Sequence, residues 1–402
     1  MNLSLLLLTK EKIPNNRLVI NDLWCKILPE SGIKLFWIAE SQTNKDITIK
    51  KFHNLVIIIY PTFPNNFFYF FKSFLLKLRI TNLLVKKNLI NHVQVRNGIS
   101  DGLISLIVKL KYSVSYSFHL SSLHGFEDDF ILDQNQGLSK IRSLLKMKLS
   151  QIFYCFIMYN AKTVQPISSF MAKYLVEKIK INKEKIFPLP VSSNKKRIDL
   201  TKIKSLSKNP IVIYVGAISK ERDIKFILKV FKQVYDKNSL AHFRIVGLFN
   251  KKTDFAYVKS LAEDFDLVSR IDFFTNISYE NTIKLVEESD IGISAIPPLK
   301  KFLVSTPSKV IDYLSCGLPV VCNNEIYDQE YVISHSNGGF SVPYSVKHFT
   351  NAIVSILKDN QLYSEMSKEG KQWIFDNRTY DDLSVNLIRK YKILGKIQKD
   401  YC

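Results

Sequence analysis

Residues 304–322, VSTPSKVIDYLSCGLPVVC, predict more of the fold than any other part of the chain. Thr306 is a typical N-cap, and Pro307 is a typical first helical residue because its missing N–H costs nothing there. A helix of two turns can then run to Ser315, and Gly317 stands where a left-handed stop is needed. The apolar residues that follow predict a buried strand. This helix–glycine–strand unit is typical of an α/β sheet.

The start of this helix can bind an anion. The first N–H groups of a helix have no partner within it, and the helix dipole is positive at that end. Ser308 and Lys309 lie in the first turn, and Asp312 shares a face with Lys309 because residues i and i+3 are neighbours. A cation and a carboxylate on one face suit a ligand with both phosphate and sugar hydroxyls. An ordinary helix with surface charges is the alternative interpretation of this segment alone.

Length and composition predict two globular domains. A chain of 402 residues exceeds one ordinary core, and a hydrophobic content of 46% argues against disorder. The longest apolar stretches, residues 3–8 and 55–60, are too short to span a membrane, and the first residues lack the basic start of a signal peptide. The five cysteines show no metal-type spacing. We expect a cytoplasmic protein with reduced cysteines.

Positive charge is concentrated in the first half. Residues 1–200 carry 29 Lys+Arg and 13 Asp+Glu, a net of +16 out of +21 for the chain. Residues 67–87, FFYFFKSFLLKLRITNLLVKK, are strongly aromatic and have five basic residues and no acid. Such a face suits anionic lipid headgroups, whereas core packing in a Lys-rich chain and a nucleic-acid surface are the alternatives. We expect contact with the inner face of a membrane and none with nucleic acid.

Strand-like and helix-like segments alternate along both halves, which is typical of parallel sheets with helices on their faces. A polar, Lys-rich stretch, residues 191–209, is the expected linker. The predicted fold class is therefore α/β, with two doubly wound, Rossmann-like domains over residues 1–195 and 205–380 that face each other across a cleft. A helix over residues 381–402 can cross back to the first domain. Ligands bind such folds at the carboxyl ends of the strands.

Local patterns in the first half make two further predictions. The first strand, residues 3–8, is followed by a polar loop over residues 9–16. A later strand, residues 113–118, ends at His119, which places this imidazole at a carboxyl edge. A buried structural histidine is the alternative interpretation of His119.

A second candidate anion site follows the strand predicted at residues 211–215. Gly216 makes the turn, and Lys220 and Arg222 stand in the basic loop before the next helix. Arg suits bidentate phosphate contact. A solvated charge cluster is the alternative. This loop and the helix start at Lys309 both follow strands of one predicted sheet, so we expect them to converge on a diphosphate.

The second half resembles the nucleotide-sugar-binding domain of the family 4 (group 1) glycosyltransferases, which have the two-domain GT-B fold. The likeness lies in IVIYVGAISKERDIKFIL, HFRIVG, FTNISYENTIKLVEESDIGIS and, most specifically, STPSKVIDYLSCGLPVVC. The first half is more loosely similar to the family's acceptor-side domain, through HVQVRNGISDGL, YSVSYSFHLSSLHG and AKTVQPISSFMAKYLVEKIKINKEKIFPLPV. The resemblance implies transfer of a sugar from a nucleotide diphosphate-sugar to a glycan or lipid-linked acceptor in cell-surface polysaccharide or glycoconjugate synthesis. It also implies retention of configuration and no metal or cofactor.

The resemblance assigns roles in donor binding. Arg222 corresponds to the basic residue that neutralises the donor diphosphate. Asp312 stands at the second acid of the family's Glu-x7-Glu motif, which hydrogen-bonds the donor ribose. Thr306, Ser308 and Lys309 belong to the helix start that faces the sugar phosphate.

The resemblance also assigns His119 to the family's histidine that faces the transferred sugar, with His124 as a weaker candidate. Two positions depart from the pattern: Val304 replaces the first acid of the motif, and Ala217 replaces a phosphate-binding Arg for which Lys220 can compensate. These departures keep open the alternative of a catalytically weak nucleotide-sugar-binding partner in a glycan-synthesis assembly. A sugar-nucleotide epimerase of the same fold is a further alternative. Residues 264–266 imitate a metal-binding Asp-x-Asp but end a predicted helix, so we expect no metal site there.

Overall fold

The computed structural model describes residues 3–15, 17–41, 46–62, 67–123, 137–247 and 252–397. The chain divides into two compact units: Met1–Pro190 with Tyr380–Cys402, and Val191–Thr379. The last helix thus belongs to the first unit, and the stretch expected as a linker, residues 191–209, belongs to the second.

Hydrogen bonds explain why residues 191–209 lie in the second unit. The Ser193 N–H donates to the Arg378 carbonyl at 2.9 Å, and Arg378 Nε donates to the Val191 carbonyl at 3.0 Å. Lys371 Nζ donates to the Lys202 carbonyl at 2.7 Å. The Lys-rich stretch predicted as a linker is therefore hydrogen-bonded to the rest of the second unit.

The first unit contains a seven-stranded sheet in the order β3-β4-β2-β1-β5-β6-β7. All neighbours are parallel except β3 and β4. The central β1 has four consecutive leucines, residues 5–8, with no exposed surface, as expected for a strand covered on both faces. The strands are β1 (Ser4–Ile13), β2 (Lys34–Ser41), β3 (Thr48–Lys51), β4 (Leu55–Pro61), β5 (His92–Arg96), β6 (Ser115–Leu120) and β7 (Thr163–Pro166).

Three strand predictions in the first unit need correction. Strand β1 continues to Ile13 because, after a register shift, Lys12 and Ile13 pair with β2, so much of the predicted loop at residues 9–16 is strand. Strand β3 was not predicted, since all four of its residues are exposed and lack an apolar pattern. Strand β6 ends at Leu120, so His119 lies within it.

The helices of the first unit form two groups. A π-helix, Val19–Ile27, continues into the short turn Leu28–Glu30 and packs against the C-terminal helix. The next three helices lie side by side in chain order, the second of them packing against the other two. Within the described residues, no helix has both the length and the apolar character needed to cross a bilayer. The helices are α1 (Phe67–Lys86), α2 (Ile99–Tyr112), α3 (Gly137–Asn160) and α4 (Ser169–Glu177).

The second unit contains a six-stranded parallel sheet in the order β10-β9-β8-β11-β12-β13. Buried apolar side chains pack on both faces of this sheet. The short, half-buried β13 was not predicted. The strands are β8 (Ile211–Val215), β9 (His242–Gly247), β10 (Ile271–Thr275), β11 (Ile291–Ser294), β12 (Val320–Asn323) and β13 (Gly339–Val342).

Nine helices follow in the rest of the described chain. The last, which completes the first unit, starts directly after the end of the second. They are α5 (Ile224–Lys237), α6 (Lys252–Asp264), α7 (Tyr279–Glu287), α8 (Lys300–Leu303), α9 (Ser308–Ser315), α10 (Tyr327–Ser336), α11 (Val346–Lys358), α12 (Asn360–Asn377) and α13 (Tyr380–Ile397).

Candidate functional site

Helix α9 is fixed to the sheet of the second unit by Tyr313. The ring fills the space beside Gly292 in β11, where any Cβ would collide with it. Its hydroxyl accepts a hydrogen bond from the Val215 N–H at 2.7 Å. At the helix end, Gly317 has φ +76° and the Leu318 N–H donates to the Tyr313 carbonyl at 2.9 Å. The predicted left-handed stop is confirmed, and α9 is held at the carboxyl end of β8.

The helix starts one residue later than predicted. Pro307 is the N-cap and Ser308 is the first helical residue, with an exposed side chain. The prediction of Thr306 as the N-cap is wrong, because its hydroxyl donates to the buried Asp328 carboxylate instead. Asp328 also accepts from Arg378 Nη2 at 2.5 Å. Thr306 therefore anchors the segment before α9 to a buried ion pair.

The backbone of the turn after β8 lies unusually close to its neighbours. The Gly216 N–H donates to the Val246 carbonyl at 2.9 Å, and a Cβ on Gly247 would collide with the Gly216 carbonyl oxygen. A Cβ on Gly216 would lie 3.0 Å from Lys309 Nζ. The absence of a side chain at Gly216 thus leaves room for the ammonium group of Lys309.

Lys309 is a cation with no carboxylate partner among the described residues. Its Nζ lies 4.0 Å from the centre of the Tyr214 ring, a cation–π contact. Among the described residues, no acid forms an ion pair with it. Burial lowers the pKa of Lys309 well below its usual range, and the nearby positive charge of Arg222 lowers it further. An anion in contact with the ammonium would act against both effects and favour the charged form.

Arg222 is the second such cation. Its guanidinium stacks 4.2 Å from the centre of the Phe302 ring, and no described carboxylate pairs with it. The acids on either side are engaged elsewhere: Glu221 pairs with Lys301, and Asp223 accepts from the Phe226 N–H at 3.2 Å as the N-cap of α5. The loop after β8 is therefore tied to α8, while Arg222 remains available to a ligand.

Lys220 begins the 3₁₀ turn Lys220–Arg222 between these elements. Its backbone is described and its side chain is not. The structure therefore locates the residue in the loop but does not place its ammonium group.

Asp312 faces away from the sheet on α9, half-buried. Tyr279, at the start of α7, donates its hydroxyl to Asp312 Oδ1 at 2.8 Å. The Arg197 guanidinium lies 5.2 Å from the centre of the Tyr279 ring. Burial raises the pKa of Asp312 to about 6, while the Tyr279 hydrogen bond and the Arg197 charge act in the opposite direction. Sequence reasoning missed Tyr279 and Arg197, since no local signal links them to a residue so far along the chain.

The described structure thus brings together Gly216, Arg222, Ser308 and Lys309 at one edge of a single sheet, with Asp312 one turn further along α9. Val304, at the position of the missing acid, is buried. Both aspartates of residues 264–266 are exposed at and beyond the end of α6. The arrangement offers two cations and a helix start for a phosphate and a carboxylate for hydroxyl groups.

His119 lies in a different environment from the one predicted. It is 1% exposed within β6, its ring is edge-on to Trp24 at 5.5 Å, and neither ring nitrogen makes a hydrogen bond of standard geometry with the described residues. Burial lowers its pKa to about 3; the Arg96 charge adds to this, and the Leu189 backbone opposes it weakly. His119 is therefore neutral and covered in this structure. His124 and the acidic residues 127–129 lie outside the described residues.

Comparison with known proteins identifies the class. Residues 195–373 match the family described as glycosyl transferases group 1. No curated protein matches the chain by sequence. The second unit is thus a group 1 glycosyl transferase domain, and the protein is a glycosyltransferase. The finer assignment to family 4 stays a prediction.

Solved structures show the GT-B fold over nearly the whole chain. Sucrose-phosphate synthase from Thermosynechococcus elongatus has a TM-score of 0.78 at 13% identity, covering 99% of this chain and 100% of that one. A glycosyltransferase from Rickettsia africae has a TM-score of 0.70 at 16% identity, covering 98% and 99%. Anabaena HepE, solved with UDP and glucose, has a TM-score of 0.67 at 12% identity, covering 98% and 100%. At these identities the likeness establishes the fold alone.

Proposed function

We propose that the second unit binds the diphosphate of a nucleotide diphosphate-sugar between the loop after β8 and the start of α9. One observation carries this proposal: Lys309 and Arg222 converge without any carboxylate among the described residues to neutralise them. Two like charges held together in a half-buried site raise the free energy of the empty protein. A dianionic ligand relieves that repulsion, so the cost is recovered on binding.

The nucleoside part of the donor, with its ribose, then extends towards Asp312. An ionised carboxylate can accept from two adjacent ribose hydroxyls, and Tyr279 already holds one oxygen of Asp312 in place. Asp312 reaches less far than a glutamate would. The Tyr279 contact compensates by fixing its direction. Val304 offers no carboxylate, so the transferred sugar is held by other contacts.

In the reaction that this binding mode permits, a nucleoside diphosphate is the leaving group. The C1–O bond to the diphosphate breaks, the acceptor oxygen forms the new bond to C1, and the acceptor proton passes to the departing phosphate. Arg222, Lys309 and the first N–H groups of α9 stabilise the developing negative charge, which is the task a metal ion performs in other transferases. Front-face attack guided by the leaving phosphate gives retention and needs no carboxylate nucleophile. The buried, neutral His119 can serve only as a hydrogen-bond partner to the sugar, after the ring is uncovered.

The acceptor side belongs to the first unit. We propose a glycan or lipid-linked acceptor of cell-surface polysaccharide or glycoconjugate synthesis, reached from the cytoplasmic face of a membrane. The net charge of +16 on residues 1–200 favours an anionic surface there.

Nucleotide binding tests the donor site directly. UDP is the first probe, because HepE was solved with it, and GDP and UDP-glucose follow. At one hundred times Kd, UDP should stabilise the wild type by about 2.7 kcal/mol, read as a rise in the melting temperature. Lys309→Met and Arg222→Ala should abolish that rise, while Lys229→Met, on the exposed face of α5, should retain it.

Two results would overturn the donor site: no stabilisation of the wild type by any nucleotide, or equal stabilisation of wild type and both variants. Because Lys309 is destabilising when the site is empty, Lys309→Met should not lower the melting temperature of the free protein. That measurement separates a lost site from a damaged fold.

A further inference from the structure

The outer face of helix α3 carries an apolar stripe that nothing in the described structure covers. With 3.6 residues per turn, its members fall on one side of the helix. Each is between 41% and 63% exposed. They are Ile141, Leu145, Leu149, Ile152, Phe153 and Phe156. The opposite side packs into the first unit through the buried Tyr154, Ile157 and Met158. A stripe this long far exceeds the scattered exposed apolar residues of an ordinary surface.

The same face is cationic. Helix α3 contains Lys140, Arg142, Lys146 and Lys148 and no acid, and Lys146 and Lys148 flank the stripe on its two sides. Helix α2, which packs against α3, and helix α1, which packs against α2, add five more basic residues that reach solvent. The one acid in the three helices, Asp101, is fully buried and paired with Lys77 at 2.9 Å. The exposed charge of this three-helix layer is therefore entirely positive.

Helix α2 continues the apolar surface next to α3. Leu110 is 77% exposed and Ile107 is exposed beside it, while α1 exposes Phe70 and Leu83. A basic rim around apolar side chains is the composition of a helix that lies in the headgroup region of a bilayer. We propose that this layer, with α3 as its principal element, docks on an anionic membrane surface. The inference rests on the proposed function and deepens it, since a docked first unit selects an acceptor presented by a lipid.

Charge excludes the main competitors for this face. A second copy of the chain would bring two purely cationic surfaces together around their apolar stripes. A nucleic acid would satisfy the cations but would leave the leucines and phenylalanines against phosphate and water. A bilayer with anionic headgroups satisfies both, because the side chains of the stripe enter the acyl boundary while lysine and arginine stay at the headgroups.

Vesicle flotation with the full chain tests the proposal. Wild type should float with vesicles of phosphatidylcholine mixed with phosphatidylglycerol and bind far less to phosphatidylcholine alone. Raised salt should weaken this binding by screening. The variant Leu145→Gln/Leu149→Gln/Ile152→Gln should lose at least tenfold in partitioning. The variant Arg142→Gln/Lys146→Gln/Lys148→Gln should lose about fivefold for each basic residue near the surface.

Control variants carry substitutions of the same kind at exposed sites of the second unit. Leu240→Gln/Val268→Gln and Lys229→Gln/Lys358→Gln/Lys368→Gln should float as the wild type does. UDP stabilisation, measured on every variant, should be unchanged, so that failure of docking and failure of the donor site are told apart. Wild type that ignores anionic vesicles, or α3 variants that float like the controls, would overturn the proposal. A wild-type dimer that is lost in the apolar variant would also overturn the proposal. Tighter binding of the protein to a DNA duplex than to vesicles would overturn it as well.

Discussion

The charged side chains at the carboxyl edges of the two sheets differ in whether they are paired. In the second unit, Lys309 and Arg222 are held there with no described carboxylate beside them. In the first unit, Arg96 at the end of β5 forms an ion pair with Glu11 of β1, and the adjacent His119 is neutral beneath Trp24. A charge that is already paired must be released before a ligand can use it, whereas an unpaired one is ready. The second unit is thus prepared for an anion.

The edge in the first unit keeps hydrogen-bonding capacity without net charge. Among the described residues, Arg96 Nε and both His119 nitrogens make no hydrogen bond of standard geometry, although all three atoms are buried and the Leu189 backbone lies near His119. Burial lowers the pKa of Arg96 to about 10, which leaves it cationic at neutral pH and balanced by Glu11. Such groups suit neutral hydroxyls better than phosphate. This difference between the two edges supports the proposal that an anionic donor binds at the second unit.

The largest expected effect comes from breaking the pair in the first unit. Arg96→Met leaves Glu11 largely buried without a partner, which should destabilise the unit by about 3 kcal/mol. Arg96→Met/Glu11→Leu should recover most of that loss, and Lys309→Met should cost nothing. Urea unfolding followed by tryptophan fluorescence measures this, since Trp24 and Trp37 report on the first unit and Trp373 on the second. Equal losses for Arg96→Met and Lys309→Met would erase the contrast between the edges.

A second effect, smaller within about two pH units of the ordinary histidine value, concerns acid stability of the first unit. His119 has its pKa lowered to about 3 in the fold, so its stabilising contribution is full above the ordinary value near 6.5 and is lost as pH falls towards 3. The loss amounts to about 1.4 kcal/mol per pH unit in that window. His119→Leu should remove it.

His92 provides an internal reference for the slope of the unfolding free energy against pH. Its pKa is also lowered to about 3 by burial, but its nitrogens contact Ser115 Oγ at 2.7 Å and Ser117 Oγ at 2.8 Å. The slope from His92 should therefore persist in His119→Leu. Urea unfolding between pH 4 and 7 is the measurement, and an unchanged slope in the variant would show that His119 is not buried in solution.

The smallest effect concerns UDP binding at the carboxyl edge of the second sheet. Asp312, with its pKa raised to about 6, should bind ribose hydroxyls as a carboxylate, so UDP affinity should fall by up to about tenfold between pH 6 and 5. Asp312→Asn should flatten this dependence. Tyr279→Phe should shift its midpoint upwards, because the lost hydrogen bond had favoured the ionised form. Calorimetric Kd values across this range decide it, and a pH-independent wild type would remove Asp312 from the ribose contact.

Local chemistry explains which parts of the site were predictable. Gly317 ends α9 as expected because a left-handed residue is a property of its own backbone. The start of α9 was misplaced because Thr306 bonds to Asp328, a partner that only the folded chain supplies. The convergence of Gly216, Arg222 and Lys309 followed from strand order in a parallel sheet.

Features that depend on neighbours could not be read from the chain. The covering of His119 by Trp24 and the pairing of Asp312 with Tyr279 join residues far apart in sequence. Strand β3 escaped because exposed residues carry no apolar period. The membrane-facing residues expected at 67–87 form helix α1, whose side chains at residues 67–69 lie outside those described, while the longest exposed apolar stripe lies on α3.

Helix α13 gives the chain a particular order of assembly during synthesis. Tyr391 is fully buried, donates its hydroxyl to Gln94 in β5 and lies 5.8 Å from the ring of His92. The first unit to leave the ribosome is therefore completed last, after the whole second unit has emerged. Until then His92 and Gln94 of β5 lack their contacts with Tyr391. Truncation at Thr379, where the second unit ends, would remove those contacts permanently.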